Sequence, residues 1–261
     1  MRIALGIEYN GGAFCGWQTQ SSGCGVQDAL ERALAGIAGD RIATICAGRT
    51  DAGVHALAQV VHFDCDVARP ESAWVRGTNT SLPAGAAALW ARPVPAEFNA
   101  RYCAQERCYR YVLLNHPVRP AVNQGRVGWF HAPLDIPRMC EAAAYLVGEH
   151  DFSALRSAEC QAQSPVRELR RLDVRKSGEY VVFELAANAF LHRMVRNIVG
   201  CLVYVGKGRH PPAWMGEVLA SGDRALAAPT MAAAGLYLAH VSYDAKWGLP
   251  QLARRAWFDA K

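Results

Sequence analysis

Ile3, Leu5, Ile7 and Tyr9 alternate with small or polar residues, and Val26, Leu30, Ala33, Leu34 and Ile37 recur at helical spacing, so the chain opens as a strand followed by a helix. Strands are expected at Ile42 to Ala47 and Gln59 to Phe63, then a short helix near Glu71 to Arg76 and a strand at Ala87 to Ala91. The order then repeats: a strand at Cys108 to Leu114 and a helix near Pro137 to Val147, with Asp135 as its cap. Val166 to Val174 and Tyr180 to Leu185 form a hairpin through Lys176-Ser177-Gly178. A helix starting near Phe190 places Met194, Ile198, Leu202 and Val205 on one stripe, a helical stretch follows at Trp214 to Leu219, and a strand at Gly235 to Tyr243 closes the half.

This pattern predicts an α+β fold of two similar β-α-β-β-α-β domains, 1–103 and 104–261, whose antiparallel or mixed sheets meet at a basic active-site cleft. Only the order of elements, not sequence identity between the halves, supports the repeat. The tail from Ala245 to Lys261 is expected to be peripheral. A hydrophobic content of 51% with 20% charged residues fits a globular protein, and the net charge of +5 permits a polyanionic partner without requiring one. The stretch Ala225 to Tyr243 lacks Asp, Glu, Lys and Arg, but Pro229, Gly235, His240 and the alternation at Leu236 and Leu238 point to a strand, not a membrane span. Nine cysteines without a C-x-x-C pair suggest neither a disulfide framework nor a zinc site; Cys46 and Cys201 sit in apolar runs as core residues. With no secretory signal after Met1-Arg2, the expected compartment is the cytoplasm.

Chemistry concentrates in three segments. Gly48 to Ala56, GRTDAGVHA, carries Asp51 on a loop after an apolar strand, with Arg49 two residues earlier and glycines at 48 and 53 offering positive φ on either side. A plain turn or helix cap is the competing reading of Asp-x-Gly. In RCYRYVLLN, Arg107 to Asn115, Tyr109 and Tyr111 share one strand face and Arg110 takes the other, which suits base stacking or simply a covered sheet. In NAFLHRMVRN, Asn188 to Asn197, Arg193 and Arg196 lie three apart on an apolar helix, either available to a carboxylate or solvated. His55, His62 and His192 have no partner at metal-ligand spacing, so no metal is expected. Basic residues gather at Arg101, Arg107 and Arg110, at Arg167, Arg170, Arg171, Arg175 and Lys176, and at Lys207 and Arg209. Converging on one groove they would neutralise phosphates; scattered, they are soluble faces.

Together IALGIEYNGGAFCGWQTQ, CAGRTDAGVHALAQVVHF, RCYRYVLLN and NAFLHRMVRNIVG resemble, in order and spacing, the TruA family of tRNA pseudouridine synthases, from Ile3 to about Tyr243. The resemblance implies isomerisation of uridine to pseudouridine at positions 38, 39 and 40 of the tRNA anticodon arm, without cofactor or metal, by a homodimer in which each tRNA spans both subunits. Asp51 then matches the catalytic aspartate, Arg49 the loop arginine that helps hold the target nucleotide out of the stack, Tyr109 the tyrosine against the target base, and Arg196 the arginine paired with the aspartate. Asp51 would attack ribose C1′ or uracil C6, or assist proton loss from C2′. The rivals are an RNA-binding protein without chemistry and a carboxylate-dependent hydrolase, whose usual second carboxylate is missing from these motifs.

Overall fold

The computed structural model describes residues 1–250; of the expected peripheral tail, residues 251–261 lie outside the described residues. Contacts divide the chain into one unit made of Met1–Gln105 with the described residues from Tyr237 onward, and a second made of Glu106–Leu236.

In the first unit, β1 (Arg2–Tyr9) leads through a loop to α1 (Val26–Ala38), then β2 (Ile45–Cys46), β3 (His55–Asp64), α2 (Glu71–Ser81) and β4 (Ala86–Val94). β1 lies between β3 and β4, antiparallel to both. Helix α1 forms where the apolar spacing predicts it. Val26, Leu30, Ala33 and Leu34 are buried, the Asp28 carboxylate accepts the Gly25 N–H at 2.9 Å, and Gly39 ends the helix in the left-handed region. It packs on α2, which packs on β4. Trp74 of α2 is fully buried with its ring edge-on to Phe63, 5.1 Å between centroids. Strand β2 is shorter than the apolar run 42–47, because Thr44 is drawn to α1 instead of a neighbouring strand. Its N–H and hydroxyl both donate to the Glu31 carboxylate, at 2.8 and 2.9 Å.

His62 of β3 is 3% exposed, and its Nδ1 accepts the Ala100 N–H at 3.0 Å. Burial, helped by the charge of Arg2 and opposed by Asp64, holds its pKa below the ordinary histidine value. The folded state therefore keeps the ring neutral where the unfolded chain begins to protonate, so this contribution is complete above about pH 6.5 and is lost as pH falls towards the lowered value. Urea unfolding should show a lower midpoint at about pH 5.5 than at about pH 7.5, with a smaller difference in His62→Gln. An equal difference in both proteins would assign the pH response elsewhere.

The second unit contains β5 (Ala104–Asn115), β6 (Gly128–Phe130), α3 (Ile136–Ala144), β7 (Gly148–Asp151), β8 (Val166–Ser177), β9 (Tyr180–Ala187), α4 (Met194–Gly206) and α5 (Trp214–Ser221). Its sheet runs β5-β9-β8-β7, each pair antiparallel, with β6 parallel on β5. The hairpin turn falls where expected: Ser177 pairs with Tyr180 across Gly178, whose φ is positive. Asp135 caps α3, accepting the Arg138 N–H at 3.1 Å. Helix α3 packs on β8 and α4.

Three expectations change. Helix α4 begins at Met194, not near Phe190, because Arg193 adopts a left-handed conformation, φ 61°, and interrupts the helical turn. The closing strand, β10 (Leu236–Tyr243), does not simply complete the second half. It pairs in parallel with β3, Tyr237 opposite His55 and Leu238 opposite Ala56. The charge-free segment before it holds 3-10 turns, and no helix among the described residues is long and apolar enough to cross a membrane. One cysteine pair departs from expectation: Cys15 and Cys24 are bridged, their Cα atoms 5.4 Å apart. Cys46 and Cys201 are core residues as expected, their thiols pushed up to about 12 and about 11 by burial, which keeps both protonated and unreactive.

Candidate active site

The loop between β2 and β3 carries Asp51, half-buried, and Arg49, exposed. Its shape is imposed from three sides. From β3, the Gln59 amide meets the Gly48 peptide reciprocally: Nε2 donates to the Gly48 carbonyl at 2.6 Å, and Oε1 accepts the Gly48 N–H at 3.4 Å. From β1, the Tyr9 hydroxyl hydrogen-bonds the Thr50 hydroxyl at 2.8 Å. From the segment before α1, the Trp17 N–H donates to the Thr50 carbonyl at 2.9 Å. The turn closes through Val54 N–H to the Asp51 carbonyl, 3.1 Å, with Gly53 at φ 80°. Gly48, expected to share that freedom, has no positive φ; its peptide is held by Gln59 instead.

Gly16 explains why GGAFCGWQ belongs with this loop although it lies 35 residues away. At φ 95° its backbone lies so close that a Cβ would stand 3.0 Å from both the Thr50 carbonyl oxygen and the Ala52 nitrogen. Just beyond the loop, the His55 Nδ1 accepts the Gly11 N–H at 3.0 Å, and the ring stacks on Tyr237 with centroids 4.6 Å apart. This histidine is a structural tie. The buried partners Tyr9, Trp17 and Gln59 were not among the expected site residues. The available signal was a glutamine set inside the otherwise apolar run ALAQVV.

In the second unit, Tyr109 of β5 is 8% exposed, with Phe190 edge-on at 5.0 Å. Tyr111, two residues along the same face, is fully buried; its hydroxyl donates to the Ala232 carbonyl at 2.9 Å, and burial raises its pKa far above the usual phenol value. It is a core residue. Arg196, in the first turn of α4, is half-buried; its Nε donates to the Met231 carbonyl at 2.8 Å while its own carbonyl accepts the Met231 N–H at 3.2 Å. Arg193 is exposed and lies 3.5 Å from Glu159. Thus Arg49 and Asp51 share one loop of the first unit, and Tyr109 and Arg196 belong to the second.

Much of the basic cluster on this sheet is paired with acids. Arg110 lies 2.6 Å from Glu184, its direct cross-strand partner, which Arg171 also contacts. Arg170 bridges Glu106 and Glu168, at 3.4 and 3.0 Å. Those arginines serve the sheet surface. Among the described residues, no group of three His, Cys, Asp or Glu is placed to hold a metal ion.

A sequence model described as tRNA pseudouridine synthase matches residues 6–103 and 142–244. The chain is 59% identical over 255 residues to tRNA pseudouridine synthase A of Thiobacillus denitrificans, covering 98% of each chain. It is 58% identical over 259 residues to tRNA pseudouridine synthase A of Burkholderia mallei, covering 98% of this chain and 96% of the other. Among solved structures, a chain of a Cbf5-Nop10-Gar1 complex aligns with 90% of this chain and 48% of its own length, at a TM-score of 0.40 and 9% identity, too slight a likeness to carry weight. The motif that holds the framed Asp51 loop lies inside the matched region, and the identity to these relatives extends over 98% of the chain: this chain belongs to the TruA family of tRNA pseudouridine synthases.

Proposed function

We propose that this protein converts uridine to pseudouridine at positions 38, 39 and 40 in the anticodon stem and loop of tRNA, with Asp51 as its catalytic residue. Tyr109, Arg49 and Arg196 bind the substrate, Tyr109 lying against the target base. The observation that carries this reading is the framing of one half-buried carboxylate, inside the family's matched region, by hydrogen bonds to Gly48 and Thr50 before it and to its own carbonyl. Substrate and product contain the same atoms. The reaction breaks the N1–C1′ bond, turns the uracil and joins C5 to C1′, and the hydrogen leaving C5 is matched by one gained at N1. No net oxidation or reduction occurs, so a single positioned carboxylate is enough to attack the ribose or the base, or to take a proton. We further propose that the protein works in the cytoplasm, where it meets tRNA, as a homodimer with each tRNA spanning both subunits.

The test is positional. Unmodified tRNA treated with purified protein, with pseudouridine mapped by chemical labelling and mass spectrometry, should carry the product at 38, 39 and 40 wherever uridine occurs there. Product only at other positions would overturn the assignment to the anticodon arm.

A further inference from the structure

We infer that Gln59 is a positioning residue for Asp51, acting through the Gly48 peptide and through a Tyr9–Thr50 relay; the inference rests on reading Asp51 as the catalytic carboxylate. Gln59 is fully buried in β3, between apolar neighbours, where an amide without partners would be strongly disfavoured. Its partners are Gly48 on the loop and Tyr9 of β1. Besides gripping both polar groups of the Gly48 peptide, Nε2 donates to the Tyr9 hydroxyl at 3.4 Å. The same hydroxyl is hydrogen-bonded to the Thr50 Oγ1, 2.8 Å away. One side chain thus holds Gly48 directly and Thr50 at one remove.

The consequence for Asp51 follows from chain geometry. Gly48 and Thr50 flank Arg49, whose side chain is exposed, and Thr50 precedes Asp51 directly. Thr50 is also fixed at its carbonyl by the Trp17 N–H and Asp51 at its own carbonyl by the Val54 N–H, so rotation of either peptide that joins Asp51 to the chain would break a hydrogen bond. Removing the amide takes from the partly buried Gly48 carbonyl the donor that Gln59 supplies, and the loop relaxes to recover a partner. A displacement of about 1 Å at a reacting group costs on the order of 100-fold in rate, whereas tRNA affinity depends on an extensive surface that this change does not touch.

The experiment compares steady-state kinetics of Gln59→Leu, Tyr9→Phe, the double variant and Asp51→Asn with the unaltered protein, using unmodified tRNA, with thermal unfolding recorded for each. Gln59→Leu should lower kcat by roughly 10- to 100-fold with KM changed by less than about twofold. Tyr9→Phe, which keeps the ring and loses only the hydroxyl, should lower kcat by roughly 3- to 10-fold. Because both act through one relay, the double variant should fall no further than Gln59→Leu alone, which a merely destabilising effect would not produce. If Gln59→Leu does not fold, the kcat of Tyr9→Phe decides. Unchanged kcat in either folded variant, a rise in KM alone, or independent multiplication of the two effects overturns the positioning role. Asp51→Asn separates the two claims: an active Asp51→Asn defeats the catalytic reading itself, whereas an inactive Asp51→Asn beside fully active Gln59→Leu and Tyr9→Phe defeats only the relay.

Discussion

Asp51→Asn is expected to lower the rate of pseudouridine formation by ~10³-fold or more while leaving tRNA binding within about threefold of the unaltered protein. Asparagine matches the carboxylate in size, and the loop keeps the Gln59 clasp on Gly48, the Tyr9 and Trp17 bonds to Thr50, and the positive φ at Gly53. What is lost is charge and basicity. A neutral amide neither attacks C1′ or C6 nor accepts a proton from C2′, so each chemical role proposed for Asp51 fails together. Removing a carboxylate from a polyphosphate-binding surface does not weaken docking, since it takes away a repulsion. The measurement pairs a filter-binding isotherm with a product assay on one preparation. A variant that turns over within about tenfold of the unaltered enzyme would place the chemistry on another residue.

Tyr109→Ala should lower kcat/KM by roughly 10- to 100-fold, and Tyr109→Phe should keep most of the activity. Extruding a nucleotide from a stem costs a few kcal/mol, and stacking on an aromatic face returns about 1 to 3 kcal/mol per base, so the ring and not its hydroxyl carries the expected effect. Tyr109 also packs against the edge of Phe190, and alanine removes that contact as well. Tyr109→Leu resolves the two contributions, because it retains apolar volume without a π face. Its activity should fall nearly as far as that of Tyr109→Ala, with a smaller loss in thermal stability. Equal activity in the phenylalanine and alanine variants would remove stacking from the account.

The elements legible in the sequence are those whose cause is local. The apolar spacing from Val26 to Ile37, the glycine in the turn after Ser177 and the cap at Asp135 each act within a few residues, and α1, the β8–β9 hairpin and α3 form accordingly. Where the deciding contact is distant, pattern fails. Thr44 leaves its strand because Glu31 offers both hydrogen bonds, and β10 joins β3 across more than 170 residues of intervening chain, which alternation cannot name. The left-handed Arg193 delays α4 by four residues with no glycine to announce it.

The candidate site divides in the same way. Asp51 and Arg49 stand out as charges on a glycine-flanked loop, and four ordered motifs suffice to indicate the family to which the chain belongs. The scaffold does not announce itself: Gly16 and Trp17 contact the loop across 33 or more residues, and Tyr9 resembles any alternating strand residue until its hydroxyl is seen on Thr50. Several basic residues that suggest phosphate contacts meet carboxylates on their own sheet: Arg110 stands opposite Glu184 in register, Arg171 reaches the same carboxylate diagonally, and Arg170 meets Glu168 on its own strand and Glu106 on β5.

The C5 hydrogen supplies the most direct test of the central claim, because joining C5 to C1′ must expel it. In single-turnover reactions with tRNA tritiated at uridine C5, the unaltered protein should release tritium to water in step with pseudouridine formation, and Asp51→Asn, saturated with the same tRNA, should release none above background. Tritium release by Asp51→Asn at the rate of the unaltered protein would contradict the assignment of this chemistry to Asp51.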